Sequence, residues 1–336
     1  MVDNTKNEND FTRKPKLQNF RHKTAYLRDG GGNGGLRHRE TLEWHLSLDV
    51  CRYFDDSVLD VTVEELTGFL KDSRTGQAFL EDDLQKDLKI EFDRQISVSQ
   101  YYPEQNLITL NPNHPKMVLV VNLIRELRRS WQHVRGNLVN PLNYQPDEAI
   151  LLNRAQHADA TMMYVRIAWE LKLNGNNTLW DHLLATSNSD IARGFEMRAR
   201  SDFRSLNNGD ASRAAYDMWF AEERMKFHDK RIIHQMLLDD KSDDHFEDGI
   251  HTLSGQMLYA VADMPHGRNY LSLSGHKPPT DRDYVTVEDR SNANFLWFIK
   301  FERSFQARER ELMKNSASSP TNIVDIKSWK KDYAEQ

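Results

Sequence analysis

Between Pro115 and Gly136 the chain carries a run that folds only if it packs deeply. Val120, Leu123, Ile124, Leu127, Trp131 and Val134 recur at steps of three and four, the spacing that lines one face of an α-helix with apolar side chains. The opposite face presents Asn122, Arg125, Glu126, Arg129, Gln132 and His133. A helix so apolar on one side must be covered by other elements, so its polar side chains are held close to whatever covers it. A second long helical pattern follows, from Pro146 to Leu173, with Pro146 suited to a first turn and Gly175 to a stop.

The flanking signals predict an α+β domain that is predominantly helical. Thr62-Val63-Glu64-Glu65 has the form of a capping box, in which hydroxyl and carboxylate satisfy orphan N–H groups at a helix start, and Leu66, Phe69 and Leu70 give that helix a buried face. Alternation over Lys89 to Ser97 and over Asn106 to Leu110 predicts two strands joined as a hairpin through the Tyr101-Tyr102-Pro103 region. Further helices are expected over Asp210 to Leu238, capped from the Asn208-Gly209-Asp210 turn, and from about Asn292 to Met313. Pro265 to Thr280, rich in Pro and Gly, is expected to be a loop. No stretch in the middle has linker composition, so the simplest partition is one domain over 41–315 with tails at 1–40 and 316–336.

Charge and composition close off several function classes. The net charge of -6 hides a basic head: residues 1–40 hold nine Lys or Arg against five acids, about +4, leaving about -10 elsewhere. Those charges are scattered, with Phe11, Phe20 and Tyr26 as the stacking groups among them, so a solvated, disordered arm jointed at Gly30 to Gly35 is the better reading and nucleic-acid binding is not expected. The glycine stretch is not followed by Lys-Ser or Lys-Thr and follows no clear strand, so it is no phosphate loop. The longest apolar run, Met117 to Ile124, is interrupted by Asn122 and far too short for a membrane span. One cysteine, Cys51, and no apolar leader segment point to a cytoplasmic protein. Cys51 has no Cys-His arrangement beside it in sequence and is read as a small packing group. Oligomeric state is not legible.

Arg125-Glu126-Leu127-Arg128-Arg129 has the form His-Glu-x-x-His with both histidines replaced by arginine. In the intact motif the two histidines lie on one helix face and bind zinc, and the glutamate acts as general base on the metal-bound water. Together with Ile108 to Pro112 before it, Asn153 to Ala160 after it, and Asn208 to Phe220 further on, this stretch resembles a bacterial, putative zinc metallopeptidase family of uncharacterised function. The resemblance covers roughly residues 75–235, with its parts in the expected order. It implies a zincin-like core in which a small hairpin precedes the motif helix and the next helix donates a third, acidic zinc ligand. Transferred position by position, the first two ligand positions fall on Arg125 and Arg129, the general base on Glu126, and the third ligand on or near His157, with Asp159 the alternative.

The departure from the motif bears on chemistry more than the resemblance does. A guanidinium has no lone pair to offer a metal and stays protonated in proteins. Two of them put positive charge where a dication would sit, so no cofactor is expected and Glu126 is left as a vestigial base whose carboxylate pairs with Arg125 or Arg129. Three readings follow. The first is a non-catalytic relative that uses an arginine-lined cleft, Arg125 and Arg129 with Arg154, to hold an acidic peptide or another carboxylate-bearing ligand, since arginine's planar fork suits that recognition. The second is a metal-dependent hydrolase with a remodelled zinc site built from Glu126, His133 and His157, against which stand the two-turn separation of Glu126 from His133 and the adjacent arginines. The third is a structural or interaction module in which the arginines and Glu126 form a buried ion-pair network. For Arg154 the plainer alternative is pairing with Asp147 or Glu148; for Trp219 and Phe220, plain core packing against walling the cleft.

Overall fold

The structure, a computed structural model, describes residues 61–239, 251–266 and 268–318. The basic arm, its glycine-rich joint, Cys51 and the tail beyond 318 lie outside the described residues. Thr62 caps α1 (Val63–Lys71), its Oγ1 accepting from the Glu65 N–H at 3.2 Å, and Ser73 caps α2 (Arg74–Leu80) in the same way through Gly76. A small sheet follows, of β1 (Lys89–Phe92), β2 (Gln100–Tyr102) and β3 (Leu107–Leu110), in the order β1-β3-β2.

The sheet corrects the expected hairpin. β1 runs parallel to β3, with Lys89 opposite Leu107 and Phe92 opposite Leu110, whereas the hairpin is made by β2 and β3, with Tyr101 opposite Ile108. Tyr101 belongs to a strand because its ring is buried. The reversal falls instead on Pro103–Gln105 and on Asn106, which takes a left-handed conformation at φ 47°, one that asparagine tolerates better than most residues. Asn111 anchors the connection that carries the chain from β1 to β2: its Nδ2 donates to the Ile96 carbonyl at 2.8 Å and its own N–H donates to Ser99 Oγ at 3.1 Å.

The motif run forms α3 (Lys116–His133), with Pro115 at the cap position. After it comes α4 (Pro146–Leu173), which begins on Pro146, carries Asp147 and Glu148 at its positive end, and stops before Gly175 at φ 91°. It is buried along nearly its whole length and on every side, from Ile150 and Leu152 to Met163, Val165 and Leu171. Each such Leu or Ile stabilises the fold by about 1.5–3 kcal/mol relative to exposure, so α4 is the axis of the domain.

Around it pack α5 (Thr178–Leu184), α6 (Ser189–Ser201), the short α7 (Ser205–Asn208), α8 (Asp210–Trp219) and α9 (Glu222–Asp239). Then come α10 (Gly255–Ala260), α11 (Arg282–Val285) and α12 (Arg290–Ser318), the last packing Leu296 and Ile299 against Ile232, Ile233 and Met236 of α9. α12 thus runs five residues past the expected end at Met313. Gly209, rather than Asp210, occupies the cap position of α8, at φ 98°, and a Cβ there would sit 3.3 Å from Tyr270 Cβ.

The single helix expected over Asp210 to Leu238 is two helices. Phe220 leaves the helical path at ψ 41°, although no Pro or Gly stands there. Arg224 from the next turn donates to the freed carbonyls of Met218 and Trp219 at 3.1 and 2.9 Å, and reaches Asp190 on α6 at 2.9 Å. A side chain arriving from a neighbouring segment thus stands in for a C-cap.

Candidate functional site

Glu126 is fully buried in the middle of α3 and both of its oxygens are engaged. Oε1 accepts from Arg125 Nη2 at 3.0 Å, and Oε2 accepts from the Tyr101 backbone N–H at 3.0 Å and from Arg129 Nη1 at 3.3 Å. The Tyr101 bond follows from the topology. β2 is an edge strand, so alternate N–H groups point away from β3 and need another acceptor. A carboxylate projecting from α3 supplies it, tying motif helix to sheet edge.

Two guanidiniums therefore converge on one carboxylate. Burial pushes the pKa of Arg129 down to about 10; Glu126 works against that fall and the neighbouring Arg125 adds to it. Beyond the arginines lies an aromatic and imidazole cluster contributed by three helices. His157 of α4 and His228 of α9 have ring centroids 4.1 Å apart, and Trp219 of α8 stacks on His157 at 6.4 Å and approaches His228 at 5.2 Å. Burial, then His228, then Arg125 and Arg129 hold His157 well below its ordinary range. Burial, Arg224 and Arg125 bring His228 down to about 3. At neutral pH both rings are uncharged.

The structure separates other residues that sequence placed together. Residues two apart on a helix face nearly opposite ways, and while His157 meets His228 and Trp219, Asp159 is committed elsewhere. Its oxygens take a two-pronged bond from Arg128 at 2.7 and 2.9 Å, a third bond from Gln132 Nε2 at 2.9 Å, and a fourth from the Tyr270 hydroxyl at 2.7 Å. Arg128 and Gln132 also donate to the Val261 carbonyl. Gln132 thus belongs to a second polar stripe of α3, not to that of Arg125 and Arg129.

Arg154 likewise does not join the arginine pair. It forms a two-pronged bond with Asp229 of α9 at 2.8 and 2.6 Å and donates to the Tyr284 and Thr286 carbonyls, so its partner is neither Asp147 nor Glu148. This guanidinium holds α4, α9 and the α11 region together, and, fully buried with four of its five N–H donors engaged, it is not placed for the anion-binding role expected for it. Asp147 pairs instead with Lys300.

Nor do Glu126, His133 and His157 converge. His133 Nδ1 lies 2.9 Å from the Tyr101 hydroxyl, at the far end of the side chain whose backbone N–H holds Glu126. Among the described residues no group of three or more His, Cys, Asp or Glu is placed to hold a metal ion. With arginine at both motif positions and the Glu126 carboxylate between them already accepting from Arg125, Arg129 and the Tyr101 N–H, a zinc ion does not fit this donor set. The arginines themselves are nearly buried, with side-chain exposures of 7% for Arg125 and 12% for Arg129, so the expected open cleft is instead a packed junction. Trp219 lies in the core and the half-buried Phe220 packs against it, in ring contact at 5.2 Å, and Trp219 also walls this junction.

Sequence reasoning does not single out Tyr101, which it expects in a turn, or His228. The true partner of His228 is 71 positions away in sequence, so no local pattern could have announced it. A family model with the description "Putative metallopeptidase family (DUF6782)" matches residues 52–272, about two thirds of the chain. No curated protein and no solved structure matches. No helix among the described residues is long and apolar enough to cross a membrane.

Proposed function

We propose that this chain, which belongs to the metallopeptidase family matched over residues 52–272, is a non-catalytic member with a zincin-like core that binds an acidic peptide or other carboxylate-bearing partner through Arg125 and Arg129. One observation carries the reading: both guanidiniums turn to the single carboxylate of Glu126, at the two positions where the motif has zinc ligands. Among the described residues other buried arginines pair with acids on their own, as in Arg128 with Asp159, Arg154 with Asp229 and Arg166 with Glu170. Burial first and Arg125 after it lower the pKa of Arg129, and neighbouring guanidiniums suit a carboxylate or another anion as ligand. Glu126 then orients the arginines against the β2 edge and has no water-activating duty. The single cysteine suits a reducing, cytoplasmic setting.

The test is calorimetric titration at low salt with a glutamate-rich peptide and with citrate, on the parent chain and on Arg125→Gln/Arg129→Gln. Saturable, salt-sensitive binding that the double variant loses supports the reading. Absence of binding to either probe, or equal binding by the double variant, refutes it.

The full burial of Glu126, with donors on both oxygens, favours a second reading in which the cluster is purely a structural tie between α3 and β2. In that case Glu126→Ala lowers stability by roughly 3–5 kcal/mol, as expected for stranding buried charge, while no anionic probe binds. A working peptidase is addressed by the same preparation: metal content by mass spectrometry and peptide hydrolysis after zinc loading, where turnover abolished by Glu126→Gln would overturn both readings.

A further inference from the structure

α12 has two apolar faces, and the described part of the chain covers one of them. Asn292, Leu296 and Ile299 are buried, the last two against Ile232, Ile233 and Met236 of α9. Across the helix axis, Phe298, Phe301, Phe305 and Leu312 follow one another at steps of three, four and seven, the a and d positions of a heptad seam. All four are exposed, at 48% to 64%, and Phe295 and Trp297 on the two flanks are exposed at 51% and 65%. Beyond Ile299 none of the described side chains of α12 is buried. The Trp297 ring stacks on Phe301 at 5.4 Å, so these two rings brace one another on the outer face.

The size of this face is that of an interface. An aromatic side chain can bury roughly 150–250 Å², so five rings about half exposed, together with Leu312, offer about 600 Å² per copy. Two such faces in contact remove about 1,200 Å² from water, above the roughly 1,000 Å² that a specific protein pair needs. We propose that α12 pairs with α12 of a second copy of this chain, antiparallel, along the seam of Phe298, Phe301, Phe305 and Leu312.

Arg308 sets the direction. It follows Phe301 by seven residues and so occupies a seam position between Phe305 and Leu312. A parallel partner would put the two Arg308 guanidiniums against each other. An antiparallel partner centred between Phe301 and Phe305 puts Phe301 of one copy over Phe305 of the other. It also lays each Arg308 on Phe298 of the second copy, where the ring face attracts the cation. The pair is then two-fold symmetric, each patch meeting its own copy. A lipid surface fits this face less well, because Glu302 and Glu309 line its edge, where a helix lying in a bilayer interface carries Lys and Arg. The pairing uses no residue of the Glu126 cluster, so its test is independent of the ligand proposed there.

The experiment is sedimentation velocity of the full chain from about 1 to 100 μM, the range over which a micromolar dimer dissociates and forms, on the parent and on Phe301→Glu/Phe305→Glu. Both rings stand on the outer face, so the variant should keep the parent's fold, checked by circular dichroism. The parent should pass from one chain to two across the range, and the variant should remain a single chain throughout. Direction is read by oxidative cross-linking in a Cys51→Ser background: a mixture of the Phe298→Cys and Arg308→Cys chains should form the mixed disulfide, and Arg308→Cys alone should not cross-link. A parent that stays a single chain at the highest concentration overturns the proposal, and if it then floats with vesicles of phosphatidylcholine and phosphatidylserine the face belongs to lipid. A folded Phe301→Glu/Phe305→Glu that dimerises as the parent does overturns it as well, as does Arg308→Cys that cross-links with itself.

Discussion

The imidazole pair at the back of the arginine cluster should cost this fold stability in acid, with His228 the residue to test. His228 is buried against His157 of α4 and Trp219 of α8, with Arg125 of α3 and Arg224 of its own helix bearing on it, and its pKa falls to about 3. In the unfolded chain it titrates near 6.5. Below pH 6.5 the unfolded state takes up the proton first, so stability is complete above that pH and is lost as pH drops through the window from 6.5 to 3. The slope is about 1.4 kcal/mol per pH unit, and His228 alone therefore costs about 3 kcal/mol between pH 8 and pH 4.5. His157, shifted in the same direction, adds to the loss.

Carboxylates also contribute to acid lability, so the decisive quantity is a difference. Urea unfolding of the parent and of His228→Gln, whose side chain is neutral at every pH, is measured at pH 8 and pH 4.5. The parent should lose about 3 kcal/mol more than the variant over that interval. Equal losses would refute the reasoning, as would an NMR titration in which the folded-state His228 ring takes up a proton near 6.5. The NMR arm holds even if the variant folds poorly.

Three other outcomes follow from the same geometry. Arg154→Met strands the buried Asp229 carboxylate and should destabilise by roughly 3–5 kcal/mol, while adding Asp229→Leu should recover most of the loss, since a buried pair exchanged for apolar groups is often nearly neutral; a double-mutant cycle by urea unfolding reads this. Arg125→His with Arg129→His places imidazoles four apart beside Glu126 and should let the chain retain zinc after dialysis, measured by mass spectrometry; a folded variant that retains none would show that these positions do not correspond to the ligand positions of the motif. Gly209→Ala forces a left-handed conformation on a residue with a Cβ and crowds Tyr270, so it should cost about 1–2 kcal/mol, read as a lower melting temperature.

Local chemistry was enough to reveal the parts that depend on neighbours in sequence. The Thr62 cap, the Pro146 start and Gly175 stop of α4, and the apolar stripe of α3 all act within one or two turns, and the structure places each as the residues imply. The same holds for the motif face, where Arg125 and Arg129 must flank Glu126 on any helix. What tertiary structure alone decided are the choices between equivalent local options. Strand pattern does not say which strands pair or in which direction, so β1 became a parallel neighbour of β3 while Tyr101 moved from turn to edge strand. Helical periodicity puts His157 and Asp159 on different faces of α4 without saying which meets the arginine pair; packing gave His157 to it and Asp159 to Arg128. The break at Phe220 has no signal in its own residues, because the group that supports it, Arg224, is useful only once Asp190 and the freed carbonyls are in reach. His157 and His228 are brought together for the same reason: α4 and α9 both bury apolar faces, and burial carries the imidazoles with them, out of water and out of charge.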